Sequence, residues 1–250
     1  MTATPPPGVR VHITRLAYPG HTVFEELKLQ LAAGQCTCLL GRNGSGKSSL
    51  LRALAKLLGE RVCELHVECS DDLPLAGRVA YMAQEDLLLP WLDVLENTTL
   101  GYRLRDRSHT RPAVVQRATQ LLQDVGLAAF AHASPAELSG GMRQRAALAR
   151  TLMEDQPVVL MDEPFSALDA ITRLELQNLA ARLLDRRTTL LITHDPLEAL
   201  RLGDAVYTLD GQPAKLSAPL RPTGRAPRPP GDAQLLSLQG RLLTQLGAGA

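Results

Sequence analysis

From Val9 to Ile13 apolar residues alternate with Arg10 and His12, and Leu27, Leu29 and Leu31 alternate with Lys28 and Gln30. Alternation with period two predicts half-exposed strands, here of an antiparallel layer. After the Ala32-Ala33-Gly34 turn the pattern changes to short, nearly unbroken apolar runs at Cys36–Leu40, Val79–Met82, Val158–Met161 and Thr189–Ile192. Such runs predict strands covered on both faces, as in a mostly parallel sheet. Between them, Leu50, Leu51, Leu54, Leu57 and Leu58 form one helical stripe, and Val114 to Val125 forms another. Val206 to Leu209, followed by Asp210-Gly211, predicts a late strand entering a tight turn. The expected fold is α/β, with a mostly parallel core sheet, a small antiparallel β layer and an inserted helical subdomain at about residues 86–150. Beyond the main domain, residues 9–212, the Pro-, Arg- and Ala-rich stretch from Pro213 to Pro230 reads as a linker. A short amphipathic helix, Ala233 to Leu246, completes the 213–250 segment.

Composition narrows the class. The chain has 250 residues, 45% of them hydrophobic and 21% charged, with a net charge of +1. That balance suits a globular protein and gives no electrostatic footprint for nucleic acid. No apolar run approaches the length needed to span a bilayer. Met1 to Gly8 is proline-rich, without the charged and apolar regions of a secretion signal, so a cytoplasmic location is expected. Cys36, Cys38, Cys63 and Cys69 show no zinc-ribbon spacing and no CxxC pair. Cys36 and Cys38, two apart in a strand, should point the same way as small core residues.

Gly41-Arg42-Asn43-Gly44-Ser45-Gly46-Lys47-Ser48 fits G-x-x-x-x-G-K-[ST] between an apolar strand and an apolar-striped helix. The glycines let the backbone curl so that successive N–H groups face a phosphate, and the helix N-terminus adds partial positive charge. Lys47 is expected to reach the β- and γ-phosphates and the Ser48 hydroxyl to ligate Mg²⁺, with Ser49 beside it among the nucleotide-binding positions. Val158 to Met161 runs into Asp162 and Glu163. The first carboxylate suits the Mg²⁺ shell, often through water, and the second suits a general base that takes a proton from the attacking water.

Leu138-Ser139-Gly140-Gly141-Met142-Arg143-Gln144-Arg145 resembles the signature motif of ABC ATPases, with Met142 where that motif most often has Gln. The other marks of the family fall in order: Gln84 resembles the Q-loop glutamine, Ser166-Ala167-Leu168-Asp169 the D-loop, and His194 the switch histidine. Tyr18 resembles the aromatic residue that stacks on adenine. The resemblance covers about Val9 to Leu209 and implies a P-loop NTPase of the ABC ATPase type that binds ATP and Mg²⁺. It implies that Ser139, Gly140 and Gly141 form a second anion site facing the γ-phosphate held by another subunit, so that two ATP molecules are sandwiched in a head-to-tail dimer. It also implies that His194 orients the γ-phosphate and the attacking water. Gln84 would contact Mg²⁺ and relay the state of the γ-phosphate, and Asp169 would belong to the shared nucleotide interface.

One phosphate loop and one signature mean a single ATPase unit, and no fused membrane domain accompanies it. What remains is a separate subunit docking on a transmembrane permease, served indirectly by a solute-binding protein. The run Tyr81 to Asn97, with Pro90-Trp91, is similar to the nitrate, sulfonate and taurine importer group, and to importers of thiamine's pyrimidine precursor. Such a subunit would sit on the inner face of the cell membrane, with Trp91 in the notch that receives a permease helix. A second reading is an ABC ATPase serving assembly or cell division, with a scaffold partner and no solute.

Overall fold

The computed structural model describes residues 5–59, 61–105 and 111–247. Residues 1–4 of the proline-rich start, 106–110 of the expected helical insert and 248–250 lie outside the described residues. The described chain divides into two compact units. One comprises the residues up to Val79, Pro157–Glu163 and those from Leu184 onward; the other comprises Ala80–Gln156 and Pro164–Leu183.

In the first unit, β1 (Val9–Tyr18) and β2 (His21–Leu31) form an antiparallel hairpin with Val9 opposite Leu31 and Ile13 opposite Leu27. Gly20, at φ 75, makes the turn. Val9, Val11, Ile13, Leu27, Leu29 and Leu31 are buried while Arg10, Lys28 and Gln30 are exposed, as the alternation predicts. A third strand, β4 (Cys63–Cys69), pairs antiparallel with β1 on its other edge.

The core sheet of this unit is built from β3 (Cys36–Gly41), β6 (Val158–Asp162), β7 (Thr188–Thr193), β8 (Ala205–Asp210) and β9 (Lys215–Leu216), in the order β6-β7-β3-β8-β9. The first three pairings are parallel and β9 closes the edge antiparallel. Every residue of β6 and β7 is buried, the condition expected of strands covered on both faces. The Cys36 and Cys38 thiols are free and 3.9 Å apart, on the same side of β3.

Helix α1 (Lys47–Leu54) buries Leu50, Leu51 and Leu54, but the stripe does not continue to Leu58. Lys56 turns left-handed at φ 56, and the Leu57 N–H bonds back to the Arg52 carbonyl at 2.8 Å. This reversal ends the helix and leaves Leu57 60% exposed. The Pro- and Arg-rich stretch read as a linker carries Arg228, which is only 3% exposed. Helix α8 (Ala233–Gly247) follows, burying Leu235 and Leu242 and making contacts with α7 (Pro196–Leu202).

Strand β5 (Val79–Met82) leads into the second unit, whose helices are α2 (Val94–Thr98), α3 (Leu100–Arg105), α4 (Pro112–Asp124), α5 (Gly140–Met153) and α6 (Ala170–Leu183). Asp93 and Glu96 form a capping box that starts α2. Fully buried Asn97 then donates to the carbonyls of Leu89, Leu92 and Asp93 and accepts from the Leu89 N–H. Those four bonds fix the Pro90-Trp91 loop against α2 and leave Trp91 74% exposed. Among the described residues, no helix is long and apolar enough to cross a membrane.

Candidate active site

The phosphate loop leaves β3 at Gly41 and enters α1 at Lys47, the frame that the motif requires. Gly44 and Gly46 take φ 80 and 94. A Cβ on Gly46 would lie 2.3 Å from Val23 Cγ1 and 2.9 Å from Phe24 Cζ, so any larger residue would break the loop against β2. Arg42, Asn43 and Gly44 are exposed on the curl, whereas Lys47 is 5% exposed. The Lys47 ammonium donates to the carbonyls of Gly41 and Arg42, both at 2.8 Å. Burial pushes its pKa below the ordinary value, against the opposing pull of Glu163 and Asp162. The buried Ser45 Oγ has no partner among the described residues.

Asp162 is the last residue of β6 and 2% exposed, with the Ser48 side chain beside it. Its Oδ1 is buried without a partner among the described residues. Burial raises the pKa of this carboxyl, with Ser48 and Lys47 pulling the other way. An orphaned carboxylate oxygen beside a hydroxyl is a suitable pair of donors for a hard cation. Among the described residues no group of three or more His, Cys, Asp or Glu could hold a metal alone. A cation at Asp162 and Ser48 would therefore take further oxygens from a bound nucleotide or water.

Glu163 lies just past the strand at φ 49, a left-handed conformation that non-glycine residues rarely adopt. Its N–H donates to the Ile192 carbonyl of β7 at 2.9 Å, which holds the turn in place. His194, directly after β7, brings Nδ1 to 3.1 Å from Glu163 Oε2. The glutamate is largely buried and the imidazole side chain is 57% exposed. Tyr18, at the end of β1, places its hydroxyl 3.3 Å from Ser49 Oγ. The first unit thus assembles Tyr18, residues 41–49, Asp162, Glu163 and His194, drawn from the ends of β1, β3, β6 and β7. Active groups at the C-terminal ends of parallel strands are the usual arrangement of open α/β sheets.

The second unit carries the remaining positions. Ser139 caps α5, its Oγ accepting from the Met142 N–H at 3.3 Å. Gly140 and Gly141 form the first turn, and a Cβ on Gly141 would already touch the Ala167 carbonyl at 3.4 Å. Asp169 caps α6 by accepting from the N–H groups of Ile171 and Thr172, and bonds from Thr172 hold its carboxyl below the usual range. Gln84 is exposed, two residues beyond β5.

Three further residues, Arg143 and Gln144 inside the signature motif and Arg150 beyond it, had no assigned role in the sequence and organise these loops. Buried Gln144 accepts from the Ala167 N–H at 2.9 Å and donates to Ser166 Oγ at 3.4 Å, joining the 166–169 loop to α5. Arg143 Nε donates to Asp86 Oδ2 at 3.0 Å and its Nη1 to the Leu138 carbonyl at 2.8 Å. Arg150 donates to the carbonyls of Asp86 and Leu87, where Leu87 sits at φ 47.

The ABC transporter family profile matches residues 24–166. An uncharacterized ABC transporter ATP-binding protein of Haemophilus influenzae is 42% identical over 242 residues, 96% of this chain and 98% of that relative. The aliphatic sulfonates import ATP-binding protein SsuB of Delftia acidovorans is 43% identical over 250 residues, covering 97% of this chain and 95% of its own. Among solved structures, the dimeric ATP-binding cassette MJ0796, in a post-hydrolysis state with ADP and Pi, superposes with a TM-score of 0.73 at 26% identity. That match covers 87% of this chain and all of the cassette. By family profile, near-full-length identity and fold, this chain belongs to the ATP-binding proteins of ABC transporters, ATPases that bind and hydrolyse ATP.

Proposed function

We propose that this chain is the motor subunit of an ABC importer, working as a dimer on the inner face of the cell membrane against a separate permease. The carrying observation is the Glu163–His194 pair beside the Lys47 loop, joined to near-full-length identity with sulfonate import ATP-binding proteins. The ATP-binding domain spans about residues 9–212, with its helical subdomain near 86–150, and residues 213–250 follow it in the chain.

In this reading the backbone of Gly41 to Gly46, with Ser45 and Ser49, cradles the phosphates and Tyr18 covers the adenine. Lys47 exchanges its two carbonyl partners for β- and γ-phosphate oxygens. Ser48 and Asp162 would hold Mg²⁺, which when bound would screen phosphate charge. Glu163 accepts the proton of the attacking water. His194 orients that water and the γ-phosphate, and its bond to Glu163 keeps the carboxylate aimed. A general base of this kind contributes about 10² to 10⁴ in rate.

A monomer lacks half of each site. Ser139, Gly140 and Gly141 supply the capped helix end that faces the γ-phosphate bound by the second copy, and Asp169 lies at the same interface. Hydrolysis removes the shared anion and the pair opens. Exposed Trp91, on a loop pinned by Asn97, offers the apolar contact for a permease helix. The solute is a small compound of the sulfonate class, with nitrate or thiamine's pyrimidine precursor as alternatives, delivered by a solute-binding protein.

The test is co-purification. Tagged protein trapped with ATP and Mg²⁺ in detergent-solubilised membranes of its host is expected to bring down a multi-span permease. Recovery of soluble partners alone would move the reading to an ATPase of assembly or cell division.

A further inference from the structure

Helix α7 begins two residues after His194, capped by Asp195, whose Oδ1 accepts from the N–H groups of Leu197 and Glu198. With seven residues it is about 10 Å long, at roughly 1.5 Å rise per residue. Its other end abuts the core sheet so tightly that a Cβ on Gly203 would lie 2.9 Å from Cys38 Sγ. A helix C-terminus leaves its last carbonyls without partners in the helix. Here two of them, together with the carbonyl of Gly203, are taken by one residue from the tail. Arg228 Nη1 donates to the carbonyls of Leu200 at 3.0 Å and Gly203 at 2.9 Å, and its backbone N–H donates to the Arg201 carbonyl at 3.0 Å.

The same guanidinium gathers its own segment. Nη2 donates to the carbonyls of Pro222 and Gly224, and Nε to that of Thr223 at 2.7 Å. Arg201 returns a bond from its Nε to the Arg228 carbonyl at 2.9 Å. Arg201 and Arg228 are each 3% exposed, and burial lowers the pKa of both guanidinium groups. A buried guanidinium with several charge-assisted bonds to carbonyls is a stiff, geometrically selective joint.

We propose that Arg228 is a positioning residue for hydrolysis: by clamping the C-terminal end of α7 it fixes the placement of His194 at the other end. The tail is thereby part of the ATPase machinery rather than an appendage, and movement of residues 222–228 would be transmitted along a seven-residue rod to the Glu163–His194 pair. This inference rests on the role assigned to His194 above.

The test is a double-mutant cycle on the full-length protein, with thermal unfolding recorded for every variant. Arg228→Met is expected to lower kcat about tenfold while KM for ATP stays within about twofold, because Lys47 and its loop are untouched. In the His194→Ala background the same substitution is expected to cost no more than about twofold further, the non-additivity of residues acting as a unit. The His194 imidazole NMR signal, identified by its loss in His194→Ala, is expected to shift in Arg228→Met. Should Arg228→Met fail to fold, Arg228→Lys enters the same cycle, since an amine keeps the charge and reaches fewer carbonyls. Unchanged turnover, or an equal loss in both backgrounds, would overturn the proposal. If His194→Ala itself hydrolyses ATP normally, the role of His194 fails first and the clamp falls with it; additive losses with a slow His194→Ala sink the clamp alone.

Discussion

His194 Nδ1 stands 3.1 Å from Glu163 Oε2, joining a residue at the end of β7 to one held at φ 49 beyond β6. A carboxylate in a left-handed turn is costly to keep, of the order of 1–3 kcal/mol, and persists where the surroundings over-determine it. Here the Ile192 carbonyl holds its backbone and the imidazole holds its side chain. Glu163→Gln preserves this shape and removes the proposed base. The variant should bind ATP as tightly as the wild type and hydrolyse it at least about 10²-fold more slowly. Single-turnover hydrolysis together with equilibrium nucleotide binding measures both quantities.

Lys47 is 5% exposed and satisfies itself on two carbonyls until phosphate arrives. Lys47→Ala removes a buried point charge without touching the glycines that shape the loop. ATP affinity should fall by about 10- to 100-fold, the worth of one charged hydrogen bond, and turnover should drop to background. Calorimetric titration with ATP checks the first, phosphate release the second.

Asp162 is a buried carboxyl whose pKa is raised by desolvation. A raised folded pKa stabilises the fold below the ordinary carboxylate range, and that contribution is lost as pH rises through the folded value. Asp162→Asn is therefore expected to match the wild type in thermal stability at pH below about 4 and exceed it at neutral pH, in the absence of nucleotide. The gain in stability on adding ATP and Mg²⁺ should shrink in the variant. Melting curves across pH, with and without nucleotide, measure the crossover.

Gln144 bonds the Ala167 N–H and the Ser166 hydroxyl from a buried position on α5. Gln144→Ala removes both bonds and should cost about 1–3 kcal/mol of stability. Denaturant unfolding is the direct measurement.

The alternation at Val9–Ile13 and Leu27–Leu31, the buried runs of β3, β6 and β7 and the phosphate loop were all legible in the sequence, because each is a local pattern. Strand β4 was not among the expected strands, although Cys63, Leu65, Val67 and Cys69 alternate with Glu64, His66 and Glu68. Arg228, Asp86 with Arg143, and Gln144 were not legible. Each works on backbone groups or loops tens of residues distant, and nothing in composition distinguishes an arginine buried on carbonyls from one in water. The early end of α1 escaped for a different reason, since the reversal at Lys56 is a backbone event without a glycine to announce it.

Trp91 is 74% exposed, so Trp91→Ala should leave the melting temperature and the ATPase rate of the isolated protein unchanged. Recovery of the permease from solubilised membranes should fall sharply, as expected for loss of an aromatic anchor. Equal recovery would place the docking contact elsewhere.

The most direct test of an ATPase site completed by a second copy is sedimentation of purified Glu163→Gln. With ATP and Mg²⁺ the protein should run as a dimer, and with ADP or without nucleotide as a monomer. A monomer with ATP bound, or a dimer indifferent to nucleotide, would contradict it.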